Sequence, residues 1–359
     1  MTEQATEGTT RRSSPAKMAA RIVIALVLIV VIFWYLLKDI SLADVWAAIT
    51  AMTWTELVGL AVVAGWNLVT YALVWMTVTP GLGFGRAMVM TQATTAITNT
   101  VPAGSAIGIG MTYAMLHSWG FSRSRTTIAV LVSGVWNAFA KLAIPVLALA
   151  LVALQGNASA ARITAAALGI GGLIAAIVVF ALMLRSEHMA ERVGVTAGRV
   201  ASKLLALIRR PPVQGWEIAT VKFRNRTVDL LEHGWFPITA TTVVSHVSLY
   251  LVLLVCLRDV GVSDAEVGWA EVLAVFAFAR LATAVPITPG GAGVVEAVLI
   301  TGLVAAGGDK PEVVAAVLVY RALTWGLPVL VGVGCLLWWR KQTLTEPAGE
   351  ATATPAAGP

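Results

Sequence analysis

Six apolar runs, at 22–37, 57–78, 127–154, 163–184, 236–257 and 313–339, decide most of what this chain can become. A bilayer core is about 30 Å thick and offers no water to the backbone, so a run of about 20 apolar residues crosses it as a helix whose hydrogen bonds are all internal. The run 22–37 is short and needs its flanking residues to reach across. Only 12% of the residues are charged and 58% are hydrophobic, with a mean hydropathy of +0.83; soluble chains carry about 25% charged residues. The expected fold is therefore all-α, a polytopic helical membrane bundle. Residues 22–340 form a single transmembrane domain between a cytoplasmic tail, 1–21, and a disordered cytoplasmic tail, 341–359.

Between the long runs lie two pairs of weaker arms, 86–101 with 103–116 and 267–285 with 293–306. The first pair is broken at Val101-Pro102-Ala103-Gly104-Ser105, the second at Val285-Pro286-Ile287-Thr288-Pro289-Gly290-Gly291-Ala292-Gly293. A long helix with an internal proline follows each, and Pro102 to Pro145 is 43 residues where Pro286 to Pro328 is 42. The stretch 91–100, with Thr91, Gln92, Thr94, Thr95, Thr98, Asn99 and Thr100, is too polar to face lipid, because an unpaired polar group in hydrocarbon costs several kcal/mol. It belongs against other helices or a wet cavity.

Charge sets the orientation. Arg11, Arg12, Lys17 and Arg21 precede the first run, and Lys38-Asp39-Ile40 follows it with no small-x-small cleavage site. The run reads as a retained span with a cytoplasmic N-terminus. On that basis the cytoplasmic stretches hold 18 Lys and Arg and the opposite face four, a strong positive-inside bias that also puts the C-terminus in the cytoplasm. Both ends of the first pair then face the cytoplasm and both ends of the second face out. The expectation is two oppositely oriented hairpins forming an inverted repeat, in a multi-pass protein of a prokaryotic plasma membrane. Residues 186–210 alternate Met189, Val193, Val200 and Leu204 with Arg192, Arg199, Lys203 and Arg210 at helical spacing. This reads as an amphipathic helix in the cytoplasmic interface, or as one packed on the bundle.

Four formal charges fall well inside the apolar segments: Lys141, Arg280, Glu296 and Arg321. Intramembrane charges cost roughly 2.5–3.5 kcal/mol each and mark candidate sites. Arg321 stands ten residues past Pro311, about 15 Å deep at 1.5 Å per residue. His246 reaches a similar depth. Gly290, Gly291 and Gly293 let backbone amides approach a ligand, with the positive end of the following helix aimed inward. One reading makes Arg280, Arg321 and these amides the partners of a lipid headgroup, with Glu296 holding an arginine when the site is empty. The other has Glu296 simply neutralising Arg321 or Arg280, and the glycines permitting tight packing. Lys141 is expected to snorkel outward. Asn99, Pro102, Gly104 and Ser105 of the first break, and Pro286 and Pro289 of the second, complete the candidates.

Several classes are excluded. Cys256 and Cys335 sit in separate apolar runs and read as packing residues. No His-Glu-x-x-His, phosphate-binding loop or Gly-x-Ser-x-Gly turn is present. No enzyme activity, cofactor, metal or nucleic-acid partner is therefore expected.

The string from Pro286 through Glu296 resembles the Pro-x-x-Pro-Gly-Gly-x-Gly-x-x-Glu signature of the lysylphosphatidylglycerol synthase transmembrane region, a flippase-like family, and Tyr320-Arg321 is similar to the pair in that family's next helix. The first repeat departs from the family pattern: Gly108 to Tyr113 and Ser133 to Asn137 are uncharged where members carry charges. The 20 residues after Trp339 hold no aminoacyl-transferase domain. The resemblance thus implies flipping of an anionic phospholipid or polyprenyl-linked glycolipid rather than lipid aminoacylation. Two alternatives stay open: an intramembrane lipid-modifying enzyme using Glu296 and His246 as an acid–base pair, and a scaffold whose basic 185–235 stretch docks an envelope-biosynthesis protein.

Overall fold

The computed structural model describes residues 42–101, 103–154, 160–207, 215–283 and 288–345. The expected span 22–37, the tail 1–21, Pro102 and Pro286 lie outside them. Every regular element among the described residues is helical. In chain order these are α1 (Leu42–Thr50), α2 (Trp54–Val78), α3 (Phe84–Thr100), α4 (Gly104–Ser118), α5 (Arg123–Leu154), α6 (Ala160–Arg185), α7 (Glu187–Leu207), α8 (Trp216–Val260) and α9 (Trp269–Ala282). A 3-10 turn (Pro289–Gly291), α10 (Val294–Ala305), α11 (Lys310–Arg321), a π-helical turn (Ala322–Gly326) and α12 (Leu327–Thr345) follow.

Among the described residues, five stretches are long and apolar enough to cross a membrane: Trp54–Val78, Arg123–Val152, Ala167–Arg185, Gly234–Val260 and Lys310–Thr343. They coincide with the five expected runs that the structure describes. The start of the first is fixed by a capping box. Thr53 accepts from the Glu56 amide at 3.4 Å, while the Glu56 carboxylate accepts from the Thr53 amide at 2.6 Å, which satisfies two amides that the helix itself leaves bare. On α6, Leu168, Ile174, Ile177 and Val178 are all exposed, as on a helix solvated by hydrocarbon.

The weaker arms became α3 with α4 and α9 with α10. They are 17, 15, 14 and 12 residues long, about 18 to 26 Å at 1.5 Å per residue, short of an about 30 Å core. The second hairpin packs into the main core, where Phe276, Leu299 and Leu303 meet Leu253 and Leu257 of α8 and Val313 to Val317 of α11. The first hairpin packs with α12: Met90, Ala93, Met115 and Leu116 are buried beside Cys335 and Trp339. A Cβ at Gly332 would run into the Gln92 carbonyl and stand 2.7 Å from Ala96 Cβ, so α3 and α12 touch backbone to backbone.

Three features extend the expected layout. Helix α1 was not foreseen; Ala48 and Ile49 seat it on the main core, beside α11. Helix α8 begins at Trp216, 20 residues before the apolar run at 236, and α12 continues to Thr345, past the expected boundary at 340. The polar extension of α8 receives the amphipathic helix α7, foreseen at 186–210. Gly198 lies on Trp216, Asn225 Nδ2 donates to Glu187 at 2.7 Å, and Arg224 Nε donates to the Leu184 carbonyl at 3.0 Å.

Candidate functional site

The site is organised by a defect in the longest apolar helix. Pro328 has no amide hydrogen and its ring crowds the carbonyl four residues back. The chain responds by widening, and the Leu327 amide donates to the Ala322 carbonyl, five residues earlier. Such π-turns gather at functional sites, and this one follows directly on Arg321.

Arg321 Nε donates to Glu296 Oε1 at 2.7 Å, and Arg321 Nη2 to the Gly290 carbonyl at 3.2 Å. Their side chains are 13% and 6% exposed, so this is a buried, hydrogen-bonded ion pair. Glu296 lies in the first turn of α10, where a carboxylate also meets the positive end of the helix. Its Oε2 has no partner among the described residues. Glu296 is paired with Arg321 rather than Arg280, an arrangement that both readings of the carboxylate contain.

The tip of the second hairpin is wedged tight. Gly290 has φ 58°, and a Cβ there would stand 2.6 Å from Trp325 Nε1 and 2.8 Å from Asn99 Oδ1. A glycine is therefore required by both conformation and space. Asn99 closes α3, so the tips of the two hairpins meet here. The Gly291 and Ala292 amides are committed to turn bonds with the Thr288 and Pro289 carbonyls, both at 3.1 Å. Gly290 offers Arg321 its carbonyl rather than its amide, and Gly293, at φ 81°, precedes α10. Pro289 starts the 3-10 turn. Gly104 serves packing, since a Cβ would stand 2.6 Å from the Thr98 carbonyl, while Ser105 is exposed and lines neither of the cavities described next.

Arg280 is the contrasting cation. It has no carboxylate partner among the described residues, and its Nε is buried with no hydrogen-bond partner among them. It lines two cavities at once. The larger, about 350 Å3, lies among α2, α4, α5, α8 and α9, with Tyr71, Thr112, Ser133, Asn137, Ser245 and His246 in its wall. The smaller, about 160 Å3, lies between the hairpin tips, with Gln92, Thr95, Asn99, Thr283, Gly290 and Arg321 around it. Tyr71 and Leu249 also border both.

His246 Nδ1 is 3.0 Å from the Thr242 carbonyl, which can only accept, so the ring proton sits on Nδ1. Its Nε2 is buried and without a partner among the described residues. Lys141 does not snorkel as expected. Its Nζ donates to Thr283 Oγ1 at 3.3 Å, because packing of α5 on α9 turns the side chain toward the second hairpin.

The residues that sequence reasoning missed are the neutral ones: Tyr71, Thr112, Ser133, Asn137 and Trp325. Ser133 and Asn137 are spaced by four on α5, which puts them on one face. A polar pair at helical spacing inside an apolar run was the available signal.

Short hairpins meeting among helices long and apolar enough to span, around cavities lined by buried polar groups and charges, define a multi-pass membrane protein. The chain belongs to the lysylphosphatidylglycerol synthase TM region family, which it matches over residues 22–332. No curated protein matches the sequence.

Proposed function

We propose that this protein moves lipids with anionic headgroups between the leaflets of a prokaryotic plasma membrane, with both termini in the cytoplasm. The observation that carries this reading is Arg280, a half-buried cation with a buried, unpartnered Nε and no carboxylate partner among the described residues, in the shared wall of two cavities. An uncompensated cation inside hydrocarbon is costly, and an anionic headgroup relieves that cost. The headgroup occupies the larger cavity while its chains stay in lipid. It then passes Arg280 toward the hairpin tips, where Arg321 exchanges Glu296 for the phosphate.

Three spanning helices, α5, α6 and α8, separate the hairpins. Crossing by all three would put the ends of the two hairpins on opposite faces, an arrangement that favours alternate opening to each leaflet. The free headgroup partner is Arg280 first and Arg321 second, because Arg321 begins in an ion pair.

Reconstitution tests this. In liposomes carrying a labelled anionic phospholipid, Arg280→Ala should slow transbilayer movement at least about tenfold, as loss of a charge-assisted phosphate contact predicts. Size-exclusion behaviour should stay that of the wild type. A correctly folded Arg280→Ala protein that moves the lipid at the normal rate would overturn the proposal.

A further inference from the structure

The membrane-embedded charges do not balance. Lys141, Arg280 and Arg321 are cations and Glu296 is the one acid at comparable depth in the sequence; three positive charges less one negative leave two unneutralised. The other acids of the spanning helices, such as Glu56, Asp259, Glu271 and Glu312, lie in the first or last turns. The residues at 284–287, next to the site, are uncharged.

The surplus is also gathered in one place. Arg280 and Arg321 both line the smaller cavity. Thr283 lines it too, and accepts from Lys141 Nζ at 3.3 Å while donating its own hydroxyl to the Arg280 carbonyl at 2.6 Å. Lys141 lines neither cavity itself and is thereby held directly behind the Thr283 wall. Glu296 stands behind Arg321 and lines neither cavity. A ligand at the hairpin tips therefore meets cations and neutral donors, and no carboxylate among the described residues.

We infer that the site takes a phosphate group bearing two negative charges, a phosphate monoester or diphosphate on a lipid, in preference to a singly charged phosphodiester. This rests on the anionic-headgroup reading and sharpens it: a diester neutralises Arg280 and leaves the Lys141 charge stranded, whereas a dianion satisfies both. Lys141, which no part of the simpler reading uses, becomes the residue that distinguishes headgroups by charge.

The test compares phosphatidic acid with phosphatidylglycerol of the same acyl chains, each titrated against the full-length protein in phosphatidylcholine nanodiscs. The buffer is held at pH 8, above the second phosphate pKa of about 6. The wild type should bind phosphatidic acid about tenfold more tightly than phosphatidylglycerol. Lys141→Gln should remove that preference while changing phosphatidylglycerol affinity by less than about twofold, and Lys141→Arg should keep it. Removing an unpaired cation should not lower the melting temperature, which separates the effect from a structural one. Equal wild-type affinities, or a Lys141→Gln variant that weakens both lipids alike, would overturn the inference. If Arg280→Ala then still weakens both lipids, the broader reading stands; if it weakens neither, both fall. Inorganic phosphate distinguishes a lipid from a soluble ligand: it should leave phosphatidic acid bound at matched concentration, and displacement would overturn the lipid assignment.

Discussion

Arg321 and Glu296 show how one residue pair can serve stability and specificity differently. Their bond is buried and short, 2.7 Å, so removing one partner strands a charge. Glu296→Ala should destabilise the protein by about 3–5 kcal/mol, while a double Glu296→Met, Arg321→Met variant should recover most of that loss, since two apolar side chains strand nothing. Denaturation in detergent micelles measures the first part, and the liposome assay should find the stable double variant inactive. A double variant that still moves lipid would remove Arg321 from the mechanism. Gly290 makes the complementary case. Gly290→Ala forces an L residue to φ 58° and a methyl against Trp325 and Asn99, and should cost about 2–3 kcal/mol in the same denaturation measurement. The sequence pointed to Arg280, Arg321, Glu296 and the glycines, because each breaks a rule that apolar segments otherwise keep. It could not tell which arginine takes the carboxylate, since that depends on how α10 and α11 are rotated against each other. The glycines were legible as close-approach positions, but what approaches Gly290 is the protein's own Asn99 and Trp325.

At the scale of elements, the long helices were readable and the irregularities were not. Five apolar runs became five spans because hydrocarbon leaves a backbone no alternative. Helix α1 and the 216–235 part of α8 carry no long apolar run, and their helicity is settled by docking against α11 and α7. Pro328 was visible as a proline inside a span, but a kink and a widened turn are both open to such a residue, and packing of α12 on α3 selects between them. The π-turn sets the rotational phase between Arg321 and the Gly332 face. Pro328→Ala restores the missing amide, and should favour a regular helix with stability unchanged or raised by about 1 kcal/mol or more. Closing the wide turn shifts the phase by one residue, about 100°, which would turn Arg321 from Glu296 or pull Gly332 off Gln92. Lipid movement should therefore fall in a protein that melts no lower than the wild type, and normal transport in Pro328→Ala would show the widened turn to be dispensable.

For the whole molecule, the question is which face of the membrane each hairpin joins. α3 and α4 begin and end beside Arg86 and Arg123, and α9 and α10 beside Asp264 and Asp309. Three crossings by the candidate spans between the hairpins would put the two pairs of ends on opposite faces, and the positive-inside rule would put the Arg123 end in the cytoplasm. Arg123 and Asp309 are exposed, whereas the native Cys256 is buried and Cys335 half-buried within a span, so a membrane-impermeant maleimide should report introduced cysteines selectively. In intact cells Asp309→Cys should be labelled and Arg123→Cys protected; in inside-out vesicles the pattern should reverse. Labelling of both from the same side would mean that one of α5, α6 or α8 does not cross. The hairpins would then enter from one face, and no exchange between them could open the Arg280 cavities to both leaflets in turn. Reversal of the pattern supplies the geometric condition for alternate access: two short hairpins, each anchored at its own surface, whose tips touch at Gly290 and Asn99. Each could then withdraw toward its own leaflet, the second carrying Arg280 of α9 with it, while the cavity walls on α2 and α8 stay fixed.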